Sequence, residues 1–349
     1  MRVRNAVQEI IAYPKQPESG IRMDLNMNIV LPPPVKKILH MIPHEIISEY
    51  PAQESHHLQE ALARRFSVTP EQVITGSGSS QIIDLAIRTF AGRGTRLNLV
   101  SPGFSMYDFF AKLNSARIRH FNLNEKDFSL NWDMLIRSPG VCLIASPNNP
   151  TGNTFDLEGM MKCVETCEKK GYAFILDEAY AEYARQNIAL RVNEFSNLVV
   201  LRTFSKAYGI PGARVGYAIA SSGSAEYLRK VRPPFALNAL SEYIAIKMLN
   251  EKEYLEKVVS LTERERGFLA DELIQLGFHV YPSKANFLLI RTPAGVNSTI
   301  LCQYLARNGI MIKDFSGTKM LGNCVRVTVG SRKINTRFLS LVRKFVETH

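Results

Sequence analysis

The sequence runs to 349 residues, 46% hydrophobic and 21% charged, which is the balance of a water-soluble globular chain long enough for two lobes and excludes a membrane-spanning or polar disordered one. Its 43 Lys+Arg against 32 Asp+Glu leave a net charge of +11, but acids interleave with the basic residues, as over 262–271, and no zinc-finger spacing, basic run or aromatic RNA signature accompanies them. The charge therefore suits anionic metabolites, with no nucleic-acid or membrane partner expected, and the absence of an apolar stretch behind the basic start points to the cytoplasm.

In chain order, the first thirty-odd residues are irregular and end at Pro32-Pro33-Pro34, which cannot continue a helix or pair inside a sheet. They read as an arm, in which Ile10, Ile11, Tyr13, Ile21, Met23 and Leu25 give apolar surface for docking. A helix is expected from Val35 and another over 58–66, and Thr69-Pro70-Glu71 opens the next element. From Val73 the pattern is the strand–helix alternation of a doubly wound α/β fold. Strands are expected over 73–75, 97–100, 141–145, 174–176 and 198–202, and each runs into polar or turn residues at the end where open α/β sheets bind ligands. The run Gly76-Ser77-Gly78-Ser79-Ser80 before a helix over 81–90 reads equally as a plain turn or as amides that cradle a phosphate.

Beyond 217–220 the character shifts to a long helix over 240–276 interrupted near Glu251, then 281–290, a helix over 298–308, 310–314, 324–329 and a last helix, which together describe a smaller α+β lobe. The expected division is an arm over 1–34, a large lobe over 35–235 and a small lobe over 236–349. The five cysteines, among them Cys163 and Cys167 on one helix face, show no paired metal-ligand spacing, so reduced thiols and no metal are expected.

The loop over 201–217 carries the chemistry. Lys206 follows a strand end, hydroxyls flank it at Thr203 and Ser205, glycines and a proline follow, and Arg214 lies eight residues on. An amine among phosphate-binding donors is the chemistry of a pyridoxal-phosphate site, although an isolated Ser-Lys pair reads as a surface loop. Four further motifs complete the set: Ser146-Pro147-Asn148-Asn149-Pro150-Thr151-Gly152, Asp177-Glu178-Ala179-Tyr180, Pro102-Gly103-Phe104, and Val325-Arg326-Val327-Thr328-Val329-Gly330.

In their order and spacing these motifs resemble the fold-type-I pyridoxal-phosphate aminotransferases of class I/II, and within them the histidinol-phosphate aminotransferases. The resemblance implies a large domain with a mostly parallel seven-stranded sheet between helices, a smaller α+β domain and an N-terminal arm. It implies pyridoxal 5′-phosphate as cofactor, with Lys206 as the Schiff-base lysine and the acid/base, Asp177 on the ring nitrogen, and Tyr180 and Asn149 on the ring oxygen. Phe104 would stack on the ring, where a core phenylalanine is the plainer reading. The amides of Gly78, Ser79 and Ser80, with Thr203, Ser205 and Arg214, would hold the phosphate, and Tyr50 would reach it from the second subunit of a homodimer with shared sites. Arg326, Lys313, Tyr13 and Asn26 would meet an amine-bearing donor and a 2-oxo acid acceptor.

Two positions depart from the histidinol-phosphate pattern. The arm has Asn26-Met27-Asn28-Ile29 where Asn-Glu-Asn-Pro is usual, and Lys313 stands where an arginine is usual. Alternatives on the same scaffold are a lyase, decarboxylase or cyclase, since the arm also resembles the threonine-phosphate decarboxylases, and a non-catalytic regulatory module.

Overall fold

A computed structural model describes residues 1–8, 10–12 and 19–348. Its strands, in chain order, are β1 (Ile21–Arg22), β2 (Val73–Ser77), β3 (Arg96–Ser101), β4 (Arg117–Asn122), β5 (Val141–Ala145), β6 (Phe174–Asp177), β7 (Leu198–Thr203), β8 (Val215–Ala220), β9 (His279–Val280), β10 (Phe287–Arg291), β11 (Ile310–Met311), β12 (Lys313–Asp314) and β13 (Cys324–Thr328). Strands β2 to β8 form a seven-stranded sheet in the order β2-β8-β7-β6-β5-β3-β4, in which β8 alone runs antiparallel to its neighbours.

Apolar residues on both faces of the central strands explain why the sheet is buried on both sides. Along β5, Val141, Leu143 and Ala145 enter one core while Cys142 and Ile144 enter the other, the two-residue period of a strand. The helices Gly78–Phe90, Ser105–Leu113 and Ser222–Val231 cover the first face; His56–Phe66, Leu157–Lys169 and Ala239–Asn250 cover the second. The expected seven-stranded α/β layer is therefore present, and it includes β4, which the chain-order reading passed over because only Phe121 of that edge strand is buried.

The smaller lobe is a four-stranded antiparallel sheet, β12-β13-β10-β9, packed against the C-terminal half of helix Lys252–Gln275 and the helices Ser298–Arg307 and Arg332–Thr348. The stretch 281–290 read into the small lobe is strand only in its second part, since β9 ends at Val280, just before it, and β10 starts at Phe287. Between them the Ser283 hydroxyl donates to Phe287 O and turns the chain. Residues 237–259 belong to the large lobe's core through Leu237, Ile244, Met248, Leu255 and Val259, so the helix Lys252–Gln275 bridges both lobes.

The arm docks on the small lobe. Strand β1 pairs in parallel with β11, Met23 is fully buried in the small-lobe core, and Thr328 donates to Met23 O through both its amide and its hydroxyl. No helix among the described residues is long and apolar enough to cross a membrane.

Candidate active site

Six strands of the large sheet point the same way, so the ends of β2, β3, β5, β6 and β7 put their following residues along one edge. Asp177 closes β6 there and is buried. Its Oδ1 accepts the amide of Ala179 at 2.9 Å and its Oδ2 accepts the hydroxyl of Tyr107 at 2.7 Å. Burial raises the Asp177 pKa, and the two hydrogen bonds together with the nearby Lys206 charge oppose that rise.

Lys206 follows β7 and donates from Nζ to the carbonyl of Leu25 in the arm at 3.0 Å, 5.5 Å from the Tyr180 ring centroid. Burial, with the charges of Arg326 and Arg214 added and that of Asp177 opposing, pulls its amine down to about 7. Such an amine gives and takes a proton at neutral pH, as a surface lysine does not.

Tyr180 is buried, its ring set edge-on to Phe287, and its hydroxyl accepts from Asn26 Nδ2 at 3.0 Å. Asn149 Oδ1 accepts from Arg326 Nη1 at 2.5 Å, and among the described residues the amide NH2 of Asn149 meets no partner and remains a donor. Arg326 projects from β13 on the face opposite the small-lobe core residues Val325 and Val327. It lies over the rings of Phe287 and Phe315, and its Nη2 donates to Asp24 O at 2.5 Å. Sequence-distant elements thus converge, with arm, large sheet and small sheet each giving polar groups to one cleft.

The glycine-serine run forms the N-terminus of helix Gly78–Phe90, which starts three residues earlier than the expected 81. Gly78 has φ +74°, and a Cβ there would stand 2.5 Å from Arg214 Nη2. A Cβ on Gly216 would collide with the backbone of Gly78 and Ser79. Only glycine at these two positions lets the β8 backbone and the Arg214 guanidinium lie against the helix start, whose first amides lack intrahelical acceptors. Ser79 and Ser80 are half-buried and Arg214 is exposed, its Nη1 donating to Pro211 O at 3.2 Å. This cradle, with one carboxylate, one perturbed amine and two guanidiniums nearby, fits a ring with a basic nitrogen and a phosphate.

Not every expected residue faces the cleft in the same capacity. Thr203 is buried and its hydroxyl donates to Val215 O at 3.3 Å while accepting from the Ser205 amide at 3.1 Å, so it shapes the lysine loop from within. Phe104 is half-buried and caps the helix Ser105–Leu113, its ring edge-to-face with Tyr107 at 5.5 Å. Lys313 is exposed on β12, directly opposite Arg326 in register. Tyr50 is 86% exposed, with its ring 5.1 Å from Phe235. Tyr13 lies outside the described residues.

Sequence reasoning missed Tyr107. Its signal was available, because Phe104 and Tyr107 are three residues apart at a helix start and so share a face. Behind Asp177, Arg202 donates to Glu178 at 2.7 Å and to Glu182 at 3.0 Å with all three side chains buried. Burial would lower the Arg202 pKa, but the two carboxylates reverse that and keep it charged, bracing the Asp177-Glu178 turn.

Comparison with known proteins agrees with this arrangement. The family model described as aminotransferase class I and II matches residues 21–341. The histidinol-phosphate aminotransferase of Ruminiclostridium cellulolyticum is 32% identical over 97% of this chain and 96% of its own, and that of Pyrococcus furiosus 35% identical over 91% and 89%. The crystal structure of the Sinorhizobium meliloti histidinol-phosphate aminotransferase in complex with pyridoxal-5′-phosphate superposes with a TM-score of 0.90 at 22% identity, covering 99% of this chain and 98% of that one. The L-threonine-O-3-phosphate decarboxylase structure from Porphyromonas gingivalis superposes at 0.81 with 23% identity, over 94% of this chain and 99% of that one. At those identities the two structures speak to the fold.

Two predictions follow from the geometry. In cofactor-free protein, acylation of Lys206 by an amine-selective reagent should climb with pH up to about 7 and then level off, because the amine is already neutral above that point. Exposed lysines should keep climbing toward ~10, and residue-resolved mass spectrometry separates the two profiles. For Tyr107→Phe, loss of a hydrogen bond to a buried carboxylate, about 1.5–3 kcal/mol, should raise the Asp177 pKa further. Pyridoxal-phosphate affinity should then fall about ten- to a hundredfold and be lost at higher pH than in wild type as pH is lowered. In an Asp177→Asn background the same change should add little, and equal losses in both backgrounds would reduce Tyr107 to a packing role.

Proposed function

The chain belongs to the class I and II aminotransferases, and from that membership we propose that its amino donor is a phosphorylated amino alcohol of the histidinol-phosphate type and its acceptor a 2-oxo acid such as 2-oxoglutarate. The protein is a transaminase, it uses an amino donor and a 2-oxo acid, and its cofactor is pyridoxal 5′-phosphate. The observation that supports the donor is the register of Arg326 against Lys313, which sets two cations side by side on one face of the small sheet at the cleft. A phosphate monoester carries a charge of about −1.5 to −2 at neutral pH, and a 2-oxo diacid carries two carboxylates, so a pair of cations suits both substrates in turn. The names of the relatives point the same way.

When bound, the cofactor supplies an electron-accepting ring that stabilises negative charge at the donor α-carbon. Lys206 would hold it covalently and, once displaced by the donor amine, would serve as the base that takes the α proton and as the acid that gives it back. Its pKa of about 7 keeps both protonation states within reach for that work. Asp177, whose ionised form the hydrogen bonds from Tyr107 and Ala179 favour, would hold a proton on the ring nitrogen. The free amide of Asn149 and the Tyr180 hydroxyl, itself oriented by Asn26, would donate to the ring oxygen. Phe104 would cover one ring face. Gly78, Ser79, Ser80, Ser205 and Arg214 would surround the phosphate, with Thr203 shaping their loop.

The functional unit is proposed to be a homodimer in which Tyr50, exposed and packed on Phe235, completes the partner's site. The proposed location is the cytoplasm, which cell fractionation would check.

Mixing the enzyme with histidinol phosphate should convert the bound cofactor to its amine form, followed by absorbance, and histidinol lacking the phosphate should do so with a much lower kcat/KM. Carbon dioxide release from threonine phosphate without reaction of histidinol phosphate would overturn the donor assignment. Arg326→Ala should cost about 2–5 kcal/mol in kcat/KM for every anionic substrate. Lys313→Ala, which removes an exposed charge, should cost about 0.2–1 kcal/mol and only for the phosphorylated donor and the 2-oxo diacid. The shared site is tested by mixing Lys206→Ala with Tyr50→Ala protein under conditions that exchange subunits. Cofactor binding at Lys206 should regain its wild-type affinity in the hybrid, and no recovery would place Tyr50 outside the partner's site.

A further inference from the structure

Away from the cleft, Cys142 of β5 faces helix Leu157–Lys169, whose Cys163 and Cys167 are one turn apart. The three sulfurs all lie within 4.8 Å of one another, with Cys142 Sγ and Cys167 Sγ 3.7 Å apart. Exposure is 0% for Cys142 and Cys163 and 7% for Cys167. The sequence hid this cluster, because its third member comes from strand register rather than from spacing.

We propose that Cys142, Cys163 and Cys167 form a binding site for a soft monovalent d10 cation, Cu(I), distinct from the catalytic cleft. Three sulfurs placed ~2.3 Å from a central ion stand about 4 Å apart, which matches the observed spacing without rearranging the backbone. The donor set is sulfur alone, since no histidine, aspartate or glutamate among the described residues joins the group. That set selects against zinc, which takes a fourth ligand in closed sites, and against hard cations, and suits a thiophilic ion content with two or three ligands.

The surroundings support a thiolate. Asn98 Nδ2 lies 3.8 Å from Cys142 Sγ as a donor, the kind of contact that orients a metal-bound sulfur. The Cys142 and Cys167 sulfurs already lie 3.7 Å apart, and Lys170 follows at the C-terminal end of the same helix. Binding forms copper–sulfur bonds to two thiolates and a neutral thiol and releases two protons to solvent, and no redox partner is needed. The product carries one negative charge, which the Lys170 ammonium at the helix end offsets. Cys167, nearest the surface, marks the entry.

The test uses reduced, cofactor-loaded protein titrated without oxygen against the coloured Cu(I) complex of bathocuproine disulfonate. Wild type should withdraw one equivalent with near-ultraviolet sulfur-to-copper absorbance, and Cys142→Ser, Cys163→Ser and Cys167→Ser should each weaken binding at least tenfold, while Cys302→Ser should not. Failure to withdraw copper, or full retention by the three variants, overturns the site. If a variant does not fold by circular dichroism, X-ray absorption on wild-type protein decides instead. Two or three sulfurs at ~2.3 Å support the proposal, and a first shell of nitrogen or oxygen refutes it.

Discussion

Desolvation of the half-buried Lys206 in a cleft where Arg326 and Arg214 add like charge, and only Asp177 opposes them, is the constraint around which the other parts are arranged. An ammonium in such surroundings is held less tightly than in water, so its proton becomes mobile near neutral pH. Asp177 cannot simply neutralise it, because burial raises the pKa of that carboxylate, and the hydrogen bonds from Tyr107 and Ala179 and the charge of Lys206 only oppose that rise. Burial thus favours the neutral form of both groups while each one's charge favours the ionised form of the other, the kind of perturbed pair found at sites of chemistry.

That arrangement requires the lobes and the arm to meet. The lysine and aspartate come from the large sheet, Arg326 from the small one, and the Leu25 carbonyl that accepts from Lys206 comes from the arm. The arm is fixed by a few well-packed groups. Met23 is buried in the small-lobe core, and Asn26, at φ 54°, exchanges hydrogen bonds with Thr328, Asn286 and Tyr180. A left-handed asparagine is tolerated there because its side chain and backbone are all engaged. Asn28 then ties the arm to Tyr254 at 2.8 Å, so both arm asparagines act as clamps although their expected Glu and Pro companions are missing.

Legibility in the sequence tracked local pattern. Strands buried on both faces, such as β5 and β7, announced themselves as short apolar runs, and the motif residues at their ends did fall along one edge. The edge strand β4 did not, since five of its six residues are at least partly exposed. The split between β9 and β10 was masked by apolar residues around Pro282, and the early helix start at Gly78 by a composition that looks like loop. Contacts set by long-range register left no trace at all. A backbone carbonyl such as Leu25 O has no sequence signature, and neither does the approach of Cys142 to Cys163 and Cys167. Lys313 illustrates the opposite case, where the residue was read from the chain but its place opposite Arg326 had to come from strand pairing.

The central claim is that Lys206 is the amine that holds the cofactor. Borohydride reduction of the pyridoxal-phosphate-loaded protein, followed by digestion and peptide mass spectrometry, measures this directly. The account predicts a single pyridoxyl-modified peptide carrying the label on Lys206. A label on any other lysine, or spread over several exposed ones with Lys206 unmodified, would contradict it.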